Sequence, residues 1–210
     1  MTERSSAANP AFGEEPRALR EPEIDLAAST VAGAFAWHEP WGEWALPQVS
    51  SREGTLLRLI ADDLRERYLP SGECSTIAGL SVTLWEPPAN HPKGAVFAAR
   101  RSEAEYEAFG PQAEAMRAGD ELISSLRPAG EHWYLDTFAT APEVIGRGLG
   151  GRLLRHDLSI RDMRKESCVL ETHTRRNVAF YERHGFELVA EGQLPCSGPD
   201  LFVMTRPPRS

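Results

Sequence analysis

Four glycines, Gly146, Gly148, Gly150 and Gly151, fall within six positions of the stretch APEVIGRGLGGRLLRH, which then turns directly into an amphipathic, basic run. Bare backbone at a helix start presents N–H groups with no Cβ in the way, and the helix dipole adds partial positive charge. The combination suits an anion, above all a pyrophosphate. Arg147 and Arg152 add full charges nearby, either as anion contacts or as solvated surface side chains. Gly146, Gly148 and Gly151 also satisfy the letters GxGxxG, and Glu171 lies twenty residues beyond Gly151, where a dinucleotide fold sets its ribose acid. That reading, an oxidoreductase, is the weaker one. A dinucleotide helix opens directly off its strand, whereas APEVI intervenes here, and the 59 residues after Gly151 are too few for the second half of such a fold. No Gly-Lys-Ser/Thr follows, which excludes a Walker loop. Cys74, Cys168 and Cys196 stand far apart, with no CxxC and no His at ligand spacing, so the expectation is no metal and no disulfide framework.

The elements that must position this loop follow from periodicity. Residues 1–22 are Ser, Ala, Pro and charge without a period and read as a disordered leader, leaving residues 23–210 as a single domain. DLAASTVAGAFAWHEPWGEWALP begins helical and ends in an aromatic loop, where Trp37, Trp41 and Trp44 either line a pocket or pack. In SSREGTLLRLIADDLRERY, Ser50 and Glu53 form a capping box, and Leu57, Ile60, Leu64 and Tyr68 share the core face of a helix. CSTIAGLSVTLWEPP is β-rich and stops at paired prolines. From Ser102 to about Leu126 a charged helical region carries Glu103, Glu105, Glu107, Glu114, Asp120 and Glu121, either a solvated face or an acidic wall for a cationic substrate. EHWYLDTFATAP is a strand ended by Pro142. After the glycine stretch come a strand in CVLET, a helix around RRNVAFYERH, a Gly-Phe turn, and two strands near ELVAEG and LFVMTR. The fold class is α/β or α+β around one sheet.

APEVIGRGLGGRLL resembles the acyl-CoA pyrophosphate loop of the GCN5-related N-acetyltransferases (GNAT), whose pattern is Arg or Gln, two residues, Gly, one residue, then Gly or Ala. Gly148 and Gly150 match its last positions, Gly146 is a common extra glycine, and Ile145 stands where the family has Arg or Gln. LETHTRRNVAFYERHGFELVAE resembles the closing segment of the same family, and the likeness extends over roughly residues 26–207. Within the family, the texture TLWEPP, GAVFA and a C-terminal MTRPP is most similar to puromycin N-acetyltransferase-like members.

The resemblance implies a GNAT fold, a central mixed, mostly antiparallel sheet flanked by helices and splayed at the acyl-CoA site. It implies direct transfer of an acetyl group from acetyl-CoA, as cosubstrate, to an amine. It assigns Tyr181 as general acid, the alternative being a core tyrosine. Glu171 would take the amine proton directly or through water, or serve as a structural or substrate-positioning carboxylate. Phe138, Ala139 and Thr140 would offer backbone groups to the pantetheine arm and thioester, while Gly146, Arg147, Gly148, Gly150 and Gly151 hold the pyrophosphate. Asn177 falls at a cofactor-contacting Asn of the family and could equally cap the helix after it. His173, two residues after Glu171, would share its face if the strand continued, and is a reserve base. His184, before Gly185 at a helix end, suits the dipole and needs no catalytic role.

Charge narrows the partners. A net charge of −8 leaves no basic face for nucleic acid. No stretch approaches a membrane span and no apolar targeting segment is evident, so a cytoplasmic protein is expected. An α-amine with a pKa near 7.7–8.0 is deprotonated to roughly a tenth or more at neutral pH, whereas a lysine amine near 10.4 is neutral in under about one part in a thousand. A single base copes far more easily with the first. Together with what the resemblance to puromycin N-acetyltransferase-like members implies, this preference makes the expected substrate a small-molecule, aminoacyl-type amine, as in an antibiotic or its precursor. Without catalysis, Ile145 would instead mark an acyl-CoA-binding protein. The sequence sets neither the particular amine nor the oligomeric state.

Overall fold

A computed structural model describes residues 13–209. A seven-stranded sheet runs in the order β1 (Arg17–Ala18), β2 (Cys74–Ile77), β3 (Ser81–Glu86), β4 (Trp133–Thr140), β5 (Cys168–Thr172), β7 (Asp200–Arg206) and β6 (Glu187–Gln193). All neighbours are antiparallel except β4 and β5, so the class expected from the sequence is the one observed. The leader's residues 1–12 lie outside the described residues. Its remainder is placed in the fold, Arg17 and Ala18 pairing with Thr76 and Ser75 while Leu19 is buried.

Alternation along the strands separates two apolar layers. Val169, Leu201 and Val203 face α1 (Ile24–His38), α3 (Val49–Asp63) and α6 (Ala113–Leu126). Cys168, Leu170, Phe202 and Met204 face α7 (Leu149–Met163) and α8 (Arg175–Glu182). The alanines of α1, with Ala27, Ala28, Ala32 and Ala36 fully buried, let that helix lie close on the sheet. The short α2 (Pro40–Ala45) and α5 (Glu103–Ala108) close the same side, α5 starting at a true capping box of Ser102 and Glu105.

Three local expectations are corrected. CSTIAGLSVTLWEPP is a hairpin of two strands, because Ala78 and Gly79 both take positive φ (55° and 69°) and turn the chain. Ser50 and Glu53 form no capping box. The α3 helix begins at Val49 with no side-chain cap, and Glu53 instead accepts from the Trp37 indole at 2.9 Å. Its buried face carries Arg52, Leu56 and Leu59, whereas Leu57 is 39% exposed. The apolar period misses this because Arg52 is spent inside, donating to the carbonyls of Leu46 (2.7 Å) and Ala36 (2.9 Å) that its neighbours leave open. Leu64–Tyr68 then widens into a π turn, leading into the single turn α4 (Leu69–Ser71) and re-phasing Leu64 and Tyr68 into the core.

Two features of β4 prepare a site. It pairs with β5 only through Trp133–Cys168 and Tyr134–Val169, so the two strands part from Leu135 onward. A bulge against β3 also inserts Asp136 as an extra residue between the Leu84–Thr137 and Trp85–Leu135 pairs.

Candidate active site

The glycine stretch sits at the parted end of β4. A 3-10 turn, Pro142–Val144, is anchored by buried Val144. Ile145 is 43% exposed, and Gly148 caps α7 at φ +88° with no side-chain cap. The first-turn N–H groups of α7 accordingly have no acceptor within the helix. Two glycines are required here for different reasons. At Gly148 the backbone is left-handed, which a side chain resists. At Gly150 a Cβ would stand 2.9 Å from both Phe138 Cζ and Thr140 Oγ1, so its absence is what lets α7 close on β4. Arg152 binds the carbonyl of Glu14 at 2.8 Å and the Glu15 carboxylate at 3.5 Å.

Beside this turn lies a cavity between the sheet and α1, α2, α3, α5 and α6, and Phe138, Glu171, His173, Asn177 and Tyr181 all line it. The structure therefore gathers the expected catalytic pair, the reserve base and the expected asparagine around one space. Gly150 joins them to the glycine turn through its contact with Phe138. Ala139 instead packs under α1, and Thr140 meets the Ser81 hydroxyl at 3.1 Å. Of the three tryptophans only Trp41 lines the cavity. Trp44 is buried with its indole donating to Pro195 O at 2.9 Å, and Trp37 is half exposed.

Tyr181 is held by an aromatic cluster of Phe138, Phe180 and Phe186, with centroids at 6.3, 5.3 and 5.7 Å. Among the described residues its hydroxyl has no hydrogen-bond partner. Burial raises its pKa well above the ordinary phenol value, and Glu39 and Glu171 push the same way, so the group keeps its proton. Asn177 is not the cap of α8. Thr174 holds that position, its Oγ1 accepting from the Asn177 N–H at 3.2 Å, which frees the Asn177 amide to donate to Glu39 Oε1 at 3.0 Å.

Glu171 is enclosed. Its Oε1 receives Arg100 Nη2 at 2.6 Å and the Tyr134 hydroxyl, Arg127 Nη2 lies 3.7 Å from Oε2, and Oε2 is buried without a hydrogen bond. Arg100 also reaches Asp120 at 2.8 Å, and Asp120 binds Arg101 and the Tyr106 hydroxyl. The acidic region, two helices in the fold, thus contributes a buried structural carboxylate at Asp120 on α6, while Glu105 on α5 lies on the cavity wall. Burial alone would lift the Asp136 carboxyl. Arg100, Arg101 and Arg67 overcome it and hold the group below its ordinary range. Asp63 shows the opposite outcome: burial, reinforced by Glu105 and Asp136, outweighs Arg67 at 3.1 Å and pushes it up to about 6.

The sequence reading missed Arg100, Asp63, Asp136 and Glu39. Asp136 left a visible signal, one acid in the otherwise apolar strand WYLDTFAT. Arg100 left none, because its partners Asp120, Tyr134 and Glu171 come from three elements far away in the chain. Among the described residues no group of three or more His, Cys, Asp or Glu is placed to hold a metal, and no helix is long and apolar enough to cross a membrane. The dinucleotide reading loses its acid, since Glu171 is bound up with Arg100 in the cavity. Its sheet also has a single parallel pair.

Residues 113–188 match the family model described as an acetyltransferase (GNAT) domain, a segment that contains the glycine turn, Glu171 and Tyr181. Most of the chain is similar in fold to solved structures, among them the following three. The Corynebacterium glutamicum protein described as histone acetyltransferase HPA2 and related acetyltransferase shares 21% identity at TM-score 0.68, over 94% of this chain and 97% of that one. A mosquito arylalkylamine N-acetyltransferase like 5b shares 12% at 0.54, over 91% and 98%. The Escherichia coli ribosomal-protein-S18-alanine N-acetyltransferase shares 15% at 0.52, over 94% and 96%. These likenesses show the fold, that of the GNAT acetyltransferases.

Proposed function

We propose that this protein is an acetyl-CoA-dependent N-acetyltransferase acting on the primary amine of a small molecule. The observation that carries the reading is the adjacency of two features: a glycine-started helix with no side-chain cap where β4 leaves β5, and a cavity beside it in which the Tyr181 hydroxyl has no hydrogen-bond partner among the described residues. The residues present fit acetyl-CoA. Free N–H groups at the start of α7 suit its pyrophosphate, and the gap along Leu135–Thr140 leaves the strand's backbone groups unpaired on one side for the pantetheine arm. Ile145 removes one side-chain contact from a cradle that is otherwise backbone. When bound, acetyl-CoA supplies the activated acetyl group.

Tyr181 is the general acid in this reading. Its phenol stays protonated and donates to the departing thiolate, while Glu171 holds Arg100 and Tyr134 in place. Substrate class follows from the lining: Glu39, Asp63, Glu105, Asp136 and Glu171 outnumber Arg100 and Arg101, and a cavity of that sign draws a cationic amine. Phe35, Trp41 and Phe109 form an edge-to-face aromatic row along the same cavity and suit an apolar or aryl body. An aminoacyl-type amine, as in puromycin-like antibiotics or their precursors, has both parts. The arylalkylamine named for the mosquito neighbour is chemistry of the same kind. Side chains of α5 and α6 line one wall of this cavity, which favours a small molecule over the protein alanine named for the Escherichia coli neighbour.

The test is mass spectrometry of a reaction containing the protein, acetyl-CoA and a panel of aminoacyl, arylalkyl and lysine-type amines, with released thiol measured in the same tube. A product one acetyl group heavier, formed preferentially from the first two classes, is expected. Neither product nor thiol with any amine would instead support an acyl-CoA binder without catalysis.

A further inference from the structure

Glu171 and His173 are two positions apart along β5 and its continuation, so both leave the sheet on the same side and line the same cavity. Their readiness to accept a proton differs. On Glu171 one oxygen already carries Arg100 and Tyr134, and the other is buried. An ammonium reaching it would have to displace a buried arginine. His173 has the reverse arrangement. Its Nδ1 lies 2.9 Å from the carbonyl oxygen of Asp200. A carbonyl can only accept, so Nδ1 carries the ring proton and Nε2 is left as the unprotonated acceptor. Nε2 has no hydrogen-bond partner among the described residues.

The charged groups that act on the imidazole are Glu171 on its own strand and Arg100 from the loop before α5, while Asp200, at the start of β7, meets it through its backbone carbonyl; Glu39 lines the same cavity. Burial holds the His173 pKa below the ordinary imidazole value and Arg100 acts in the same direction. The bond to Asp200 and the charge of Glu171 oppose them without prevailing. The ring is neutral at neutral pH and available as a base.

Resting on the acetyltransferase reading above, we infer that His173 Nε2 is the group that accepts the proton of the substrate amine, directly or through one water. The ammonium nitrogen gives up two protons in turn through Nε2 to solvent. A C–N bond forms at the thioester carbonyl carbon and the C–S bond breaks. Sulfur leaves as a thiol with the Tyr181 proton, which solvent replaces, and one proton is released net.

The test compares wild type, His173→Gln and Glu171→Gln in the pH dependence of kcat/KM for an amine that the wild type acetylates. His173→Gln is expected to lower kcat/KM for the amine about 100-fold or more at pH 7, to leave the KM for acetyl-CoA unchanged, and to recover as pH rises toward the amine's own pKa. Nitrogen NMR of histidine-labelled wild-type protein gives a readout independent of turnover: His173 is expected as the neutral tautomer protonated at Nδ1. A His173→Gln enzyme within about threefold of wild type with the same acid limb, or a ring protonated at Nε2, would overturn the inference. Loss of that limb in Glu171→Gln alone would assign the base to Glu171. Failure of the wild type to acetylate any amine would sink the acetyltransferase reading, and the inference with it, and is seen without any variant.

Discussion

The glycine turn and the charged cavity lie on either side of Phe138 and are built from different material. The turn is local: the 3-10 turn, the Gly148 cap and the first residues of α7 follow one another along the chain, and what they present is backbone. The cavity is assembled from α1, α2, α3, the loop before α5, the α5 and α6 helices, β4, β5 and α8, and what it presents is side chains, apolar ones interspersed with Glu39, Asp63, Arg100, Arg101, Glu105, Asp136 and Glu171. In this account the turn recognises what every acyl-CoA shares, and the cavity selects the amine. A backbone site tolerates Ile145 in place of a charged or amide side chain. The cavity has less tolerance, because Glu171 depends on Arg100 and Glu39 on Asn177, partners from other elements.

The largest effect should come from the cavity. Tyr181→Phe removes one oxygen from a ring held by three phenylalanines. It is expected to lower kcat by about 100- to 10,000-fold while the acetyl-CoA dissociation constant and melting temperature stay near wild type. Steady-state kinetics beside calorimetric titration check this. If acetyl-CoA binding falls with kcat, the division between the two regions is broken.

Stability offers a second contrast. Arg100→Met strands Glu171 and Asp120 without their shared cation, a loss of about 3–5 kcal/mol by the usual cost of breaking a buried pair. Urea denaturation would read it as a lower midpoint, and Arg147→Ala on the glycine turn should move that midpoint far less.

The smallest effect concerns Asp63. Its carboxyl is raised to about 6 in the folded chain from an ordinary 3.8. A raised acid binds its proton more tightly when folded, so its favourable contribution is complete below the unfolded pKa and is lost as pH rises from about 4 through 6. Asp63→Asn is expected to flatten that decline, by up to about 3 kcal/mol for a two-unit shift, with thermal melts across pH 4–8 as the check. An unchanged profile would mean that Arg67 compensates Asp63 fully.

The same division explains what could be read from the sequence. The β4 strand, the glycine turn, the α7 helix, the β5 strand and the Gly-Phe turn are local patterns, and all stand where WYLDTFAT, IGRGLGGRLL, CVLET and HGF place them. Glu171 and Tyr181 lie in that same stretch, and both line the cavity. The apolar period gives α3 the wrong face, because a buried Arg52 satisfied by two carbonyls looks like a surface residue in any such period. Arg17 and Ala18 form only a two-residue edge strand whose partner lies in β2, too brief a pairing to leave a pattern. Arg100 has no local signature, since its role is defined by partners 20 to 71 residues away.

The central claim, that the backbone at the start of α7 holds acyl-CoA, is tested most directly by calorimetric titration of acetyl-CoA into wild type, Arg147→Ala and Gly148→Val. A branched side chain at φ +88° costs on the order of 1–2 kcal/mol or more in that conformation and turns the first N–H groups away. The account expects Gly148→Val to bind at least about tenfold more weakly and Arg147→Ala to change affinity only a few-fold. Equal affinity in wild type and Gly148→Val, with both folded, would contradict it.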